Sequence, residues 1–259
     1  MIRKLLIDQV PLVCWTNENG FIEGRRSMIF VHGAGGDHTV WEAQYGPLQA
    51  EFNIASLNLP GHGPSGGRGE REIGRYVEWV WNMIVAFGLR PPPVLIGHSL
   101  GAAISLAFAI RYGDELSGVV SVGAGVQMPV HPTFLQQIKT DMDAVVALFV
   151  KFAIASSNRD RVGPIVAAGI RNANTDAFYG DMCACNSLDL SEGLSRIRCP
   201  ALVLCGEKDK MTPPALSQAI ADRIEGARLE CIPGAGHFVM IEDAPAFNKA
   251  LSDFVRGLP

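Results

Sequence analysis

The chain has 259 residues, of which 48% are hydrophobic, and its formal net charge is -4 at pH 7. A chain of this length fits one hydrophobic core that carries an insertion better than two independent domains. The 22 Lys and Arg residues are scattered and form no basic stripe that could bind phosphate groups. Nucleic acid is therefore not an expected partner.

The first residues argue against a secretion signal. The apolar run from Leu5 to Ile7 is far too short for the apolar region of a signal peptide, and Asp8 interrupts it. No run in the chain approaches the roughly 18 apolar residues that cross a bilayer. We therefore expect a cytoplasmic protein with no membrane span.

The six cysteines predict free, buried thiols. They form no CxxC pair, and a chain this long does not depend on disulfides for its stability. Disulfides are the alternative. Cys183 and Cys185 are close in sequence, but no His or second Cys pair stands near them at zinc-ligand spacing, so no bound metal is expected.

Short apolar runs alternate with helical stretches along most of the chain. Residues 1–22 predict an antiparallel hairpin at a sheet edge. The further predicted strands are Met28–His32, Asn53–Leu57, Val94–Ile96, Gly118–Val122, Ala201–Cys205 and Arg228–Ile232. Between them apolar residues recur at three- and four-residue steps, so each helix is expected to turn one apolar face to the sheet. This alternation predicts an α/β fold with a mostly parallel sheet.

The alternation fails between about Val126 and Leu190, where the chain becomes helical and rich in Met and large apolar residues. No strand is predicted there before Ala201. We expect residues 126–190 to form a helical insertion above a core made of residues 1–125 and 191–259. Its large apolar residues either extend the core or shape a cap over an apolar pocket.

Ser99 is the predicted nucleophile. Residues 97–101 read GHSLG and fit G-x-S-x-G, with a predicted strand running in and a helix running out. This strand, turn and helix form a nucleophile elbow, whose glycines are needed because a side chain there would collide. Ser65 also lies in a G-x-S-x-G match, but the surrounding Pro and Gly residues indicate an irregular loop, so we reject it. Residues 61–66 spell G-x-G-x-x-G, yet no helix opens there to bind a dinucleotide phosphate.

A serine nucleophile needs a base, and behind such an elbow the chain order is Ser, then Asp or Glu, then His. His131 falls inside the predicted insertion, whereas His237 follows the last predicted strand on a Gly-rich loop, so His237 is the predicted base. Glu207 and Asp209 both follow the preceding strand. Asp209 lies further into the loop and is predicted to orient the imidazole, with Glu207 as the alternative.

The reaction also needs fixed hydrogen-bond donors for an oxyanion. Residues 32–36 read HGAGG and follow an early predicted strand. We expect the backbone N-H groups of Ala34 and Leu100 to be these donors, because Leu100 follows the nucleophile and the glycines let the backbone approach a substrate. An ordinary tight turn is the alternative. These groups supply nucleophile, base and electrostatic stabilisation, so no cofactor is expected.

Together the motifs resemble those of the alpha/beta-hydrolase superfamily, in particular its small serine hydrolases and esterases with a helical cap. HGAGG at 32–36, NLPGHGPS at 58–65, GHSLG at 97–101, GEKDKMTP at 206–213 and GAGH at 234–237 occur in the family's order. The resemblance covers essentially the whole chain. It implies an eight-stranded, mainly parallel sheet with helices on both faces and an active site between the sheet and a cap. It also implies that Ser65 belongs to the loop after the fourth strand.

The predicted function is hydrolysis of carboxylic esters of small or medium apolar substrates through an acyl-enzyme on Ser99. Carbon-carbon bond hydrolysis of a vinylogous diketone and acyl transfer to an acceptor other than water remain open for the same machinery. A receptor that binds a ligand without turnover is the alternative from another class. The expected partner is a small-molecule ester, and no oligomeric state follows from the sequence.

Overall fold

One eight-stranded sheet organises the chain, and the computed structural model describes residues 1–259. The strands are β1 (Ile2–Ile7), β2 (Val10–Thr16), β3 (Ser27–Val31), β4 (Asn53–Leu57), β5 (Val94–His98), β6 (Gly118–Val122), β7 (Ala201–Gly206) and β8 (Arg228–Ile232). Their spatial order is β1-β2-β4-β3-β5-β6-β7-β8. β2 pairs antiparallel with β1 and β4, and all other pairs are parallel. The predicted mostly parallel sheet with an edge hairpin is confirmed.

Three strand predictions differ from the structure at their ends. β3 lies one residue earlier than predicted, because its ladder with β4 begins at Ser27. β7 extends one residue further and β5 two. β5 is longer because Gly97 and His98 stay in register with Ser121 and Val122 of β6. The central strand therefore runs directly into Ser99.

Helices cover both faces of the sheet. They are α1 (Glu42–Gln49), α2 (Ile73–Phe87), α3 (Leu100–Tyr112), α4 (Pro132–Thr140), α5 (Met142–Ala153), α6 (Arg159–Asn172), α7 (Thr175–Asn186), α8 (Pro214–Ala221), α9 (Val239–Glu242) and α10 (Ala244–Arg256). α2, α3 and α8 pack on one face, and α1, α9 and α10 pack on the other. Strand side chains alternate between the two cores: Ile29 and Val31 enter the first, Met28 and Phe30 the second.

The expectation of a single apolar helix face holds for α2 and is wrong for α3. In α2 the residues at three- and four-residue steps, Ile73, Val77, Val80 and Ile84, are buried. In α3 nearly every side is buried, because the helix contacts the sheet, α2 and α7 at once. A helix enclosed in this way is apolar all round.

Helices α4 to α7 lie in the chain between β6 and β7 and share an apolar core of their own. Ile138, Val145, Val166 and Phe178 each contribute to it from one of the four helices. Phe238, just after β8, packs against this core, so the four helices stand at the carboxyl ends of the parallel strands. None of the helices in the structure is both long enough and apolar enough to span a membrane.

All six cysteines are free thiols. Cys14, Cys185 and Cys205 are buried, Cys183 and Cys199 are half-buried, and Cys231 is exposed. The expectation of buried thiols is therefore wrong for Cys231, because it lies on the edge strand β8, which has a neighbour on one side only.

Candidate active site

Ser99 lies in a sharp turn between β5 and α3. Its φ of 54° is in the left-handed region, which is strained for a residue with a side chain. Two glycines make the turn possible. A Cβ on Gly97 would lie 1.9 Å from the oxygen of Gly101, and one on Gly101 would lie 2.2 Å from the oxygen of Val31. Strand and helix thus approach more closely than any side chain at these positions would permit.

The structure brings Asp209 and His237 together. His237 Nδ1 lies 2.8 Å from Asp209 Oδ2, and the two residues are 2% and 4% exposed. Because an ionised carboxylate only accepts hydrogen bonds, Nδ1 carries the proton and donates it. Both side-chain hydrogen bonds of His237 are made by Nδ1, so Nε2 is left free. Ser99 and His237 line the same cavity.

The alternative residues lie elsewhere. His131 is exposed at the start of α4, where its ring accepts a hydrogen bond from Thr133 N. Glu207 is exposed as well and accepts hydrogen bonds from Lys208 Nζ and Gly234 N. Neither residue lines the cavity that contains Ser99.

Ser65 holds a loop in place. Its hydroxyl accepts a hydrogen bond from Val13 N at 2.9 Å and donates one to Asn58 O at 3.0 Å. The residue lies in the loop after β4, outside the cavity that contains Ser99.

Thr212 is a site residue that the sequence reasoning did not single out. Its hydroxyl lies 2.8 Å from Asp209 Oδ2 and 3.1 Å from His237 Nδ1. The backbone N-H groups of Met211 and Thr212 donate to Asp209 Oδ1 at 2.8 and 2.9 Å. The spacing of a threonine three residues after an aspartate is the signal that could have found it, since Asp side chains commonly accept hydrogen bonds from the next turn.

The surroundings of Asp209 favour its ionised form. Burial alone would raise its pKa, but the His237 ring and the hydrogen bonds from Thr212 outweigh burial and hold the pKa below its usual value. The carboxylate therefore keeps its charge more firmly in the folded chain than in the unfolded one.

We expect this ionised carboxylate to stabilise the fold above about pH 4, the ordinary pKa of aspartate, and to lose its contribution as the pH falls through the lowered folded pKa. Urea unfolding of the wild type and Asp209→Asn across the acidic range measures it. The wild type should gain stability relative to the variant as the pH rises through this interval. A relative gain on acidification would contradict the assignment.

The turn after β3 is oriented by a buried histidine. His32 Nδ1 donates to Gly33 O at 2.8 Å, and Nε2 accepts from Leu59 N at 3.1 Å. Burial lowers the pKa of His32 to about 4, so the ring is neutral, as these two bonds require. The N-H of a trans peptide points opposite to its C=O, so the N-H of Ala34 points away from His32. A Cβ on Gly33 would lie 3.2 Å from Ser99 Cβ, which places this turn beside the serine.

The two predicted oxyanion donors have free N-H groups. Ala34 lines the cavity, and its N-H donates to no group of the chain. The next N-H, that of Gly35, is already used, because it donates to Asp181 Oδ2 at 2.9 Å. Leu100 is the first residue of α3, so its N-H has no acceptor within the helix.

The loop that carries His237 is fastened to the segment between α5 and α6. The N-H of His237 donates to Ala153 O at 2.6 Å. Glu242 Oε2 accepts from Gly236 N at 2.9 Å and from Ala155 N at 3.0 Å. This buried carboxylate therefore joins the histidine loop to the helices that lie between β6 and β7.

A cavity of about 400 Å³ opens above Ser99. Asp37 is its one lining residue with an acidic side chain, no Lys or Arg lines it, and three histidines do: His62, which pairs with the buried Asp181, His98 and His237. The apolar lining side chains from α5 to α7 and from the loops after β7 and β8 are Phe149, Ile165, Val166, Ile170, Met182, Met211 and Phe238. The arrangement suits an uncharged, mainly apolar ligand.

Comparison with known proteins gives a consistent result. The model of a family described as alpha/beta hydrolase matches residues 28–250. A protein of Caulobacter sp. provisionally named carbamate hydrolase RutD is 26% identical over 255 residues, which covers 90% of this chain and 91% of its own length. A pimeloyl-acyl-carrier-protein methyl ester esterase of Neisseria meningitidis serogroup A is 24% identical over 247 residues, covering 90% and 78%. Among solved structures, a thermophilic esterase is 26% identical with a TM-score of 0.86, covering 100% and 99%.

Proposed function

The chain belongs to the alpha/beta hydrolase family, and on this premise we propose that it is a serine hydrolase that cleaves carboxylic esters through an acyl-enzyme on Ser99. The buried pair of His237 and Asp209, with 2.8 Å between Nδ1 and Oδ2 on the cavity that Ser99 lines, is the observation that carries the proposal. The relatives and solved structures named as esterases support the same bond class.

In the first proposed step, Ser99 Oγ bonds to the ester carbonyl carbon while His237 Nε2 takes the hydroxyl proton, and the carbonyl electron pair moves onto its oxygen. Asp209 accepts the Nδ1-H and stabilises the imidazolium without taking the proton. Nε2 makes no hydrogen bond to another group of the chain. The contact with Ser99 is expected to tighten when a substrate fills the cavity, as is common for catalytic hydrogen bonds.

The oxyanion formed in this step is assigned to the N-H groups of Ala34 and Leu100. Donors of this kind commonly supply about 3 kcal/mol each. When the oxyanion collapses, the bond to the alcohol oxygen breaks and the imidazolium returns its proton to that oxygen. A water molecule then attacks the acyl-serine by the same route and releases the acid.

We assign residues 126–190 the role of a cap over the site. The helices of this segment supply much of the apolar wall, and the exposed Ile165 of α6 stands at its edge. A cavity of about 400 Å³ is at the small end of the range for small-molecule sites, which suits an ester with a small or medium apolar acyl group.

A carbamate is the second candidate substrate. The relative provisionally named as a carbamate hydrolase is 26% identical to this chain, and the match covers about nine-tenths of both proteins. A carbamate presents a carbonyl that the same serine attacks, with nitrogen in place of carbon on one side.

The proposal is tested by the hydrolysis of p-nitrophenyl esters of increasing acyl length. We expect kcat/KM to rise over the short acyl groups and to fall once the acyl chain exceeds the cavity. No hydrolysis of any ester or carbamate would contradict the proposal. Turnover of a vinylogous diketone, product formation only with an added alcohol or thiol acceptor, or tight binding without turnover would then identify which alternative applies.

Asp37 is expected to disfavour anionic substrates. It is half-buried at the cavity, and its side chain accepts hydrogen bonds from Thr39 N and Thr39 Oγ1. Asp37→Asn removes the charge but keeps a residue that caps a helix equally well. Two substrates are compared: a half-ester that bears a carboxylate, and a neutral ester of equal length. The ratio of kcat/KM for the half-ester to kcat/KM for the neutral ester should rise about fivefold in the variant, which corresponds to about 1 kcal/mol of repulsion removed. An unchanged ratio between the two substrates would contradict this.

A further inference from the structure

Asp181 is a fully buried carboxylate that lies outside the proposed catalytic groups. It lies on α7 at 0% exposure. Its Oδ2 accepts from Gly35 N at 2.9 Å and from His62 Nε2 at 2.8 Å, and its Oδ1 accepts from Tyr76 OH at 2.5 Å. One side chain thus joins α7 to the turn after β3, the loop after β4 and helix α2.

His62 carries the charge that balances Asp181. Its Nδ1 lies 3.0 Å from Pro60 O and its Nε2 lies 2.8 Å from Asp181 Oδ2. Both partners are acceptors, so both ring nitrogens carry a proton and the ring is an imidazolium. Burial alone would lower the pKa of His62, but the Asp181 carboxylate outweighs burial and raises it. The other titratable groups that face the ring are His32, which is neutral, and Tyr76.

Stability alone does not account for this pair. A buried ion pair loses the hydration of both charges, and replacing both partners by apolar residues of similar size is often neutral or stabilising. The pair lies next to the turn that contains Ala34 and Gly35. Gly35 has a φ of +66°, and a Cβ at this position would lie 3.0 Å from the ring of Phe178 on α7, so the turn and α7 are in close contact. The turn is pressed against α7 at the position where Asp181 takes the Gly35 N-H.

We propose that Asp181, held by His62, is a positioning residue of the oxyanion site: it takes the N-H of Gly35 and so fixes the neighbouring N-H of Ala34 for the substrate. Asp181 is a permanent anion that takes the N-H of Gly35. The oxyanion of the substrate is then left with the neighbouring N-H of Ala34, which no group of the chain accepts. The inference rests on the proposed function, because an oxyanion arises only if a carbonyl is attacked.

The first test measures the protection of the Gly35 N-H in the turn and needs no substrate. Amide hydrogen exchange followed by NMR is expected to show a protected Gly35 N-H in the wild type. The double variant His62→Leu with Asp181→Leu removes both charges together and is therefore expected to fold, but it offers Gly35 no acceptor. Its Gly35 N-H should exchange at least about tenfold faster. An equally protected Gly35 in the double variant would overturn the proposal.

The second test measures kcat and KM for ester hydrolysis. In the double variant kcat should fall about a hundredfold, the usual effect of a misplaced oxyanion donor, while KM changes less than about threefold. Asp181→Asn keeps an oxygen for Gly35 when its amide nitrogen faces Tyr76 OH, at the loss of the hydrogen bond that Tyr76 donates in the wild type. This variant should recover kcat to within about tenfold of the wild type. Leu251→Ala is the control for lost stability. Leu251 lies in the core between the sheet and helices α1, α9 and α10, and its replacement should leave kcat unchanged.

The two proposals fail in different ways. If the wild type hydrolyses esters and the folded double variant keeps its kcat, the role of Asp181 is overturned and the esterase stands. If the wild type hydrolyses no ester, the proposed function fails, and the Gly35 exchange rate still decides whether Asp181 holds the turn. Equal losses of kcat in Asp181→Asn and the double variant would also overturn the role given to the Gly35 hydrogen bond.

Discussion

Replacing Ser99 by alanine is expected to lower kcat for p-nitrophenyl esters by about a millionfold, the usual cost of removing a serine nucleophile. The hydroxyl is the proposed nucleophile, so no acyl-enzyme can form on Ser99 without it. The proposed donors at Ala34 and Leu100 would then leave only a residual acceleration of direct attack by water. Steady-state rates of wild type and variant on one ester measure the effect. Far-UV circular dichroism should be unchanged, because the hydrogen bonds of Ser99 are made by its backbone, which alanine keeps.

The chain offers a matched control in Ser65, which lies in the second G-x-S-x-G sequence. Ser65→Ala removes two loop hydrogen bonds and should cost about 1 kcal/mol of stability for each. Its kcat should equal that of the wild type, because Ser65 does not line the cavity. Retained turnover in Ser99→Ala, or lost turnover in folded Ser65→Ala, would refute the assignment of the nucleophile.

Replacing Asp209 by asparagine is expected to lower kcat by about ten-thousandfold. The amide group can turn its NH₂ toward His237 Nδ1, which then has to accept rather than donate. The proton moves to Nε2, and that nitrogen can no longer take the proton of Ser99. The pH dependence of kcat and single-turnover rates on an aryl ester would show this loss while KM changes little.

Two substitutions test whether the loss belongs to Asp209 itself. Glu207→Gln changes the alternative acid, which is exposed, and should leave kcat unchanged. Thr212→Val removes one donor to Asp209 Oδ2 without altering the tautomer of His237, and should lower kcat by about tenfold or less. A loss in Glu207→Gln as large as that in Asp209→Asn would reverse the choice between the two acids.

The sheet and the elbow were predictable because their causes are local. Strands such as β4 and β6 are short apolar runs, and their predicted bounds match the structure. The glycines at 97 and 101 follow from the contact between strand and helix, which any serine elbow of this kind imposes. Ends of strands were missed where pairing with a neighbour continues, as at His98.

Asp181 and Thr212 were missed for a different reason. A lone aspartate in a helix usually faces water, and only the fold reveals that Asp181 meets a turn 146 residues earlier in the chain. Thr212 lay within a motif, but its direction toward Asp209 depends on the loop conformation after β7. Sequence periodicity reports which face of an element is buried, and it does not report which buried polar groups will meet.

The ties between the helices of residues 126–190 and the two loops also bear on the order of events in folding. Asp181 meets Gly35 across 146 residues of chain, and Glu242 meets Ala155 across 87. We expect contacts so distant to close late in folding, because the entropy of joining the ends of a long segment is lost before the contact compensates for it. On a nascent chain neither contact can form before residues 181 and 242 are made, whereas β5 and the turn at Ser99 come much earlier in the sequence. We therefore expect the proposed site to gain its full set of contacts only when the polypeptide is nearly complete.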